Sequence, residues 1–190
     1  MSNIDSLRDR ASALENQFFA EIDAKLLEEL KIKQDHENLI SEFSRISGIK
    51  DLAILEAIRK LGVTPHSFTA LRVFPLVAVA WADGTLDETE RVTVNTLAST
   101  HFVLKQCPAG QLLEKWLETK PTAEMFNAWE SYAKTLVTAL SAHEADELKK
   151  TLVKEIHAVA SASGGLLGWS AISTGENKAL NRIEAALTRG

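Results

Sequence analysis

Asp83, Asp87, Glu88 and Glu90 fall within eight residues, Asp83-Gly-Thr-Leu-Asp-Glu-Thr-Glu90, with no base among them. Carboxylates at that density either cap helices or gather a hard, oxygen-seeking cation. The stretch reproduces the second half of an EF-hand loop: an acid, a glycine, an apolar residue two places on, and a final glutamate. Val79 and Trp81 stand where the first and third oxygen ligands belong, so an ordinary EF-hand is excluded. Two readings remain. In the first, Gly84 ends one helix, Asp87 caps the next and Glu90 completes a capping box, together worth roughly 1–2 kcal/mol. In the second, the turn also binds a divalent cation, Ca²⁺ or Mg²⁺, or a cationic partner, because capping leaves Asp83 and Glu88 without a task.

Other chemistries are less complete. His143-Glu-Ala-Asp-Glu147 lacks the second histidine of a zinc protease. Glu155-Ile-His157 has the wrong spacing for a di-iron helix pair. His36, His66 and His101 lie in separate segments. Gly164-Gly-Leu-Leu-Gly168 has neither the lysine nor the preceding strand of a phosphate loop. Cys107 is the single cysteine, next to Pro108 and far from any triad, which marks it as inert; it also rules out an intrachain disulfide. With no nucleophile–base pair, cofactor loop or full ligand set, the expectation is a protein that is not an enzyme.

The elements that must position the acidic stretch are helical. Ile4, Leu7, Ala11, Leu14, Phe18, Ile22 and Leu26 advance by three or four residues, and no glycine or proline interrupts Ile4 to Ile46. Lys31 to Asn38 is almost wholly polar, so this arm is one long helix or a helical hairpin. Gly48 closes it, giving an arm over 1–47 and a helical domain over 48–190. Asp51 then caps a helix to Lys60, and Thr64-Pro65 starts another. Phe68 to Ala82 is expected as the central buried helix, begun or kinked by Pro75. Helices are expected over 88–104, 109–117, 123–140, 142–162 and 174–187, with Trp116, Phe126, Trp129 and Tyr132 in the core. No window alternates in the manner of a strand.

An internal echo accompanies these helices. Val79-Ala-Trp-Ala-Asp-Gly84 aligns with Val159-Ala-Ser-Ala-Ser-Gly164, and Leu86-Asp-Glu-Thr-Glu90 with Ile172-Ser-Thr-Gly-Glu176. Each copy reads as helix, glycine turn, capped helix. The expected fold is an all-α bundle of two pseudo-repeated helix–turn–helix units behind the N-terminal arm.

Composition narrows the function. The 190 residues carry 21 Lys and Arg against 26 Asp and Glu, a net charge of −5. Residues 1–62 hold 9 bases and 12 acids, so the arm is not a basic tail, and no Lys/Arg cluster suits a phosphate backbone. Nucleic acid is therefore not an expected partner. The longest apolar run, Val73 to Ala82, is about half the ~20 residues of a membrane span. The opening residues lack the basic and apolar regions of a signal peptide. A soluble, cytoplasmic chain follows, with peripheral membrane association left open.

Ala80-Trp-Ala-Asp-Gly-Thr-Leu-Asp-Glu-Thr-Glu-Arg91, preceded by Phe74-Pro-Leu-Val, resembles the signature of the bacterial tellurite-resistance TerB-like family. Ala162-Ser-Gly-Gly-Leu-Leu-Gly168 followed by Ile172-Ser-Thr-Gly-Glu176 resembles a second-half motif of some members, so the likeness spans about residues 64–190. It implies an all-helical, two-halved, non-enzymatic binding module in a stress or tellurite-resistance context, with a metal site at Asp83, Asp87 and Glu90. Ser163 replaces the first acid in the second copy, which argues against a second metal site there. Asp9-Arg-Ala-Ser-Ala-Leu-Glu-Asn-Gln-Phe-Phe19 is similar to the opening of F-type ATP synthase inhibitor subunits, which implies an arm that docks on a partner. The alternative function is a helical scaffold or adaptor whose arm mediates self-association or partner docking without metal.

Overall fold

A computed structural model describes residues 3–162 and 173–188, and their side chains except those of 3–20 and 23. Every described element is helical, as expected, and no described helix is long and apolar enough to cross a membrane. The chain divides into two compact units, Met1–Glu42 and Phe43–Gly190. This division lies five residues before the expected one. Phe43 is the reason: its side chain is fully buried and meets the Phe68 ring edge-on at 6.3 Å.

The first helix, α1 (Asn3–Ser47), is one helix rather than a hairpin. Its polar stretch Lys31–Asn38 contains good helix formers and no breaker, so the backbone has no reason to turn there. Within the first unit Ile22, Leu26, Leu27, Leu30 and Ile32 are all exposed, Leu27 at 66%. Gly48, in the left-handed region at φ 71°, closes the helix with its N–H on the Ser44 carbonyl.

The second unit continues with α2 (Leu52–Lys60), capped by Asp51, whose Oδ1 accepts from the Ala53 N–H at 2.8 Å. A 3₁₀ segment follows over Pro65–Arg72, opened by a Thr64–Ser67 capping box, and then comes α3 (Phe74–Ala80). Of the two roles expected for Pro75, the structure shows the first: it begins α3, and the residues before it form the 3₁₀ segment rather than the front of one helix over 68–82. Pro75 has no N–H to return to the Leu71 carbonyl and its ring crowds that carbonyl, so an α-helix cannot run through from the preceding turn. The Leu71 oxygen takes the Trp129 indole N–H instead, at 3.0 Å. All seven residues of α3 are buried.

Around α3 stand α4 (Glu88–Thr100), α5 (Pro108–Glu118), α7 (Ala142–Ala160) and α8 (Thr174–Ala186), each touching it. Between α5 and α7 runs α6 (Ala123–Ala139), which packs on α2 and α8. Phe74 is the hub. Its ring meets Trp116 edge-on at 5.2 Å, stacks near Trp129 at 6.4 Å and meets Phe126 at 6.4 Å. Such aromatic pairs add about 0.5–1.5 kcal/mol each beyond area burial. Trp116 and Trp129 are buried as expected, and both indoles donate to backbone carbonyls, of Leu61 and Leu71. Tyr132 differs: it is only partly buried.

Candidate functional site: the acidic turn

After Ala80 the chain leaves the helix through a turn closed by the Gly84 N–H on the Trp81 carbonyl at 3.1 Å. Gly84 has φ 104°, a conformation a Cβ would strain. The turn is anchored from both sides. Trp81 Nε1 donates to the Trp116 carbonyl at 3.1 Å, and Arg91 Nη2 donates to the Leu117 carbonyl at 2.6 Å. These two donors occupy carbonyls in the last turn of α5, which no intrahelical N–H reaches. The guanidinium also meets the negative end of that helix dipole.

Each predicted ligand has a local partner. Asp83 Oδ1 accepts from the Thr85 N–H at 2.9 Å and from its hydroxyl at 3.2 Å. Asp87 is the N-cap of α4, with Oδ1 accepting from the Glu90 N–H at 2.8 Å and from the Thr89 hydroxyl at 2.6 Å. Glu90 Oε2 accepts from the Asp87 N–H at 3.0 Å, which closes the capping box. The Thr89 hydroxyl, then the Glu90 N–H, hold the Asp87 carboxyl below its usual range. Glu90 goes the other way. It is 4% exposed, and burial, followed by the charges of Asp87, Asp83 and Glu176, pushes its carboxyl up to about 7.

Glu176 reaches this place because the first turn of α8 lies against the acidic turn. A Cβ on Gly175 would stand 2.5 Å from the Ala82 carbonyl oxygen, so only glycine permits that approach. Ser173 and Glu176 form a second capping box, with the Ser173 N–H on Glu176 Oε2 at 2.6 Å and the Glu176 N–H on Ser173 Oγ at 3.1 Å. The two glutamates matched in the sequence echo, Glu90 and Glu176, are therefore both buried cap partners. The glycine stretch 164–168 of that echo, with Ser163 and Ile172, lies outside the described residues.

The structure thus brings the charges of Asp83, Asp87 and Glu90 to one turn while committing an oxygen of each to a nearby N–H. Among the described residues, no three His, Cys, Asp or Glu side chains are grouped to hold a metal ion. A cation of the protein's own is close by: Lys120 Nζ lies 3.9 Å from where a Cβ on Gly84 would be.

Sequence reasoning missed other pairings. His101 Nε2 lies 2.7 Å from Glu155 Oε1, a pair 54 residues apart with no local signature. Cys107 is the N-cap of α5, with its sulfur accepting from the Gly110 N–H at 3.4 Å, and that bond draws the thiol pKa down. The Cys107-Pro108 step was the available signal, since proline favours the first turn of a helix. Glu147 pairs with Lys150 at 3.2 Å, whereas the Ser141–Glu144 capping box is the one that the Ser-x-x-Glu spacing predicts.

No family model, no curated protein and no solved structure matches this chain.

Proposed function

We propose that this chain is a non-enzymatic helical binding module of the TerB-like kind, acting in the cytoplasm in a stress or tellurite-resistance context. Its working part is the arm, which docks on a protein partner, in the simplest case a second copy. One observation carries this: Ile22, Leu26 and Leu30 recur every fourth residue and, with Leu27 and Ile32, remain 38–66% exposed. Burying a Leu or Ile side chain fully is worth about 1.5–3 kcal/mol, so the face of Ile22, Leu26 and Leu30, with Leu27 beside it, offsets part of the cost of association. The test is sedimentation velocity of the full chain against a deletion of residues 1–42, which retains Phe43. The full chain should sediment as a larger, concentration-dependent species and the deletion as a monomer. Identical profiles would remove the arm from any self-association.

A second reading, a divalent cation at the acidic turn, is favoured by Glu90. A cation there would relieve the repulsion from Asp87, Asp83 and Glu176 that adds to burial in raising its pKa. Binding to the folded state stabilises by about 2.7 kcal/mol at a hundredfold excess over Kd. Millimolar Ca²⁺ or Mg²⁺ should raise the melting temperature by several degrees for a site of ~10 μM affinity, and Asp83→Asn should lose that shift. Equal shifts in both proteins place the ion elsewhere; no shift leaves the turn to capping.

A further inference from the structure

A cleft of about 330 Å³ opens between the 3₁₀ segment, the end of α4 and α6. Phe68, Thr69 and Arg72 line it from the first, His101 and Phe102 from the second, and Tyr132 from the third. It lies apart from the acidic turn, and its volume is at the lower end for small-molecule pockets.

Its polar groups are unsatisfied in a particular way. Arg72 Nε is shut off from solvent with no hydrogen-bond partner, and among the described residues no carboxylate pairs with this guanidinium. A shielded donor without a partner is costly, and buried donors in folded proteins are rarely left so, while the Arg72 side chain as a whole is only half-buried and open to the cleft. Across the same cleft, His101 is fixed by its 2.7 Å bond to Glu155, which is buried beneath it with Oε2 unpartnered. That bond uses Nε2 and leaves Nδ1 for a ligand.

The apolar side is equally specific. Phe68 and Tyr132 meet edge-on at 5.6 Å, their planes at 88°, and form an aromatic wall with a right-angled corner. Burial pushes the Tyr132 hydroxyl up to about 12 despite the nearby Arg72 charge, so this hydroxyl stays a neutral donor. Phe102 is 85% exposed with φ 61°. Its N–H bonds the Ser99 carbonyl and the Val103 N–H bonds the Ala98 carbonyl, the pattern of a helix end that normally carries glycine there. A bulky ring is thereby held in solvent at the cleft, in a conformation disfavoured for any side chain with a Cβ.

We propose that this cleft binds a small organic carboxylate with a flat apolar body, the carboxylate on Arg72 and the ring among Phe68, Tyr132 and Phe102. A lone guanidinium fork suits a carboxylate, which it can hold through two parallel bonds. Inorganic phosphate would leave the aromatic wall unused.

Calorimetric titration of the full chain with phenylacetate tests this, alongside phenylacetamide and inorganic phosphate. Phenylacetate should bind, and phenylacetamide, which keeps the ring and loses the charge, should bind at least about tenfold more weakly, as should phosphate. Arg72→Gln should weaken phenylacetate by a similar factor. Phe102→Gly, which suits the left-handed helix end and so keeps the fold, should weaken it too. No phenylacetate binding up to about 10 mM overturns the proposal. Equal affinity for acid and amide overturns it as well, independently of whether Arg72→Gln folds, and so does phosphate binding as tightly as phenylacetate. Unchanged affinity in both variants places the ligand elsewhere and likewise overturns it.

Discussion

Glu90 shows how one side chain serves two opposed demands. Its carboxylate is wanted charged by the Asp87 N–H it accepts from, and wanted neutral by burial and by the acids around it. Burial wins, and the pKa rises from 4.5 to about 7. The unfolded chain gives up that proton near 4.5, so the native state alone holds it between the two values. The stabilisation is complete below about 4.5 and is lost as the pH rises through about 7. Wild type should therefore lose stability relative to Glu90→Gln between pH 5 and pH 8 in urea unfolding with chelator present; parallel curves would show that Glu90 titrates normally. The capping box itself was legible, because Asp-x-x-Glu is a spacing within one helix turn. The burial of Glu90 and the charge of Glu176 near it were not, since both arise from packing between segments distant in the chain. His101 and Glu155 were illegible for the same reason.

Helix boundaries were the most readable level. Asp51, Thr64, Asp87, Ser141 and Ser173 each cap the helix that follows, since a cap acts on N–H groups two or three residues away. In the segment 65–80 hydrophobicity alone reads as one helix, and Pro75 begins α3 within it, one of the two roles its position allows. Gly175 gives a test of sign at this scale. Helix propensity alone says that Gly175→Ala stabilises by about 1 kcal/mol. The 2.5 Å approach to the Ala82 carbonyl says that it destabilises, by about 1–3 kcal/mol, because backbone cannot yield as a flexible side chain would. A higher urea midpoint for Gly175→Ala would mean that α8 does not sit against the acidic turn.

At the scale of the whole molecule, the arm's unbroken amphipathic run and the glycine that closes its helix were visible. The boundary was not, because Phe43 belongs to the same helical stripe as Leu39 and Ile46 and only its neighbours reveal which unit claims it. The cleft beside Arg72 was invisible for a different reason. It draws on three elements separated by some thirty residues each, and no spacing within one of them announces that the other two meet it there.

The tryptophans give the two units separate optical signatures. All four lie after residue 80, and residues 1–42 contain neither tryptophan nor tyrosine. Trp116 and Trp129 are buried with their indoles bonded to backbone carbonyls, so their fluorescence should be blue-shifted and should move to the red only when the core around Phe74 opens to water. The arm is silent in that channel yet supplies much of the far-ultraviolet helical ellipticity. Recording emission and ellipticity on one heated sample therefore distinguishes an arm that frays by itself from one that melts together with the core.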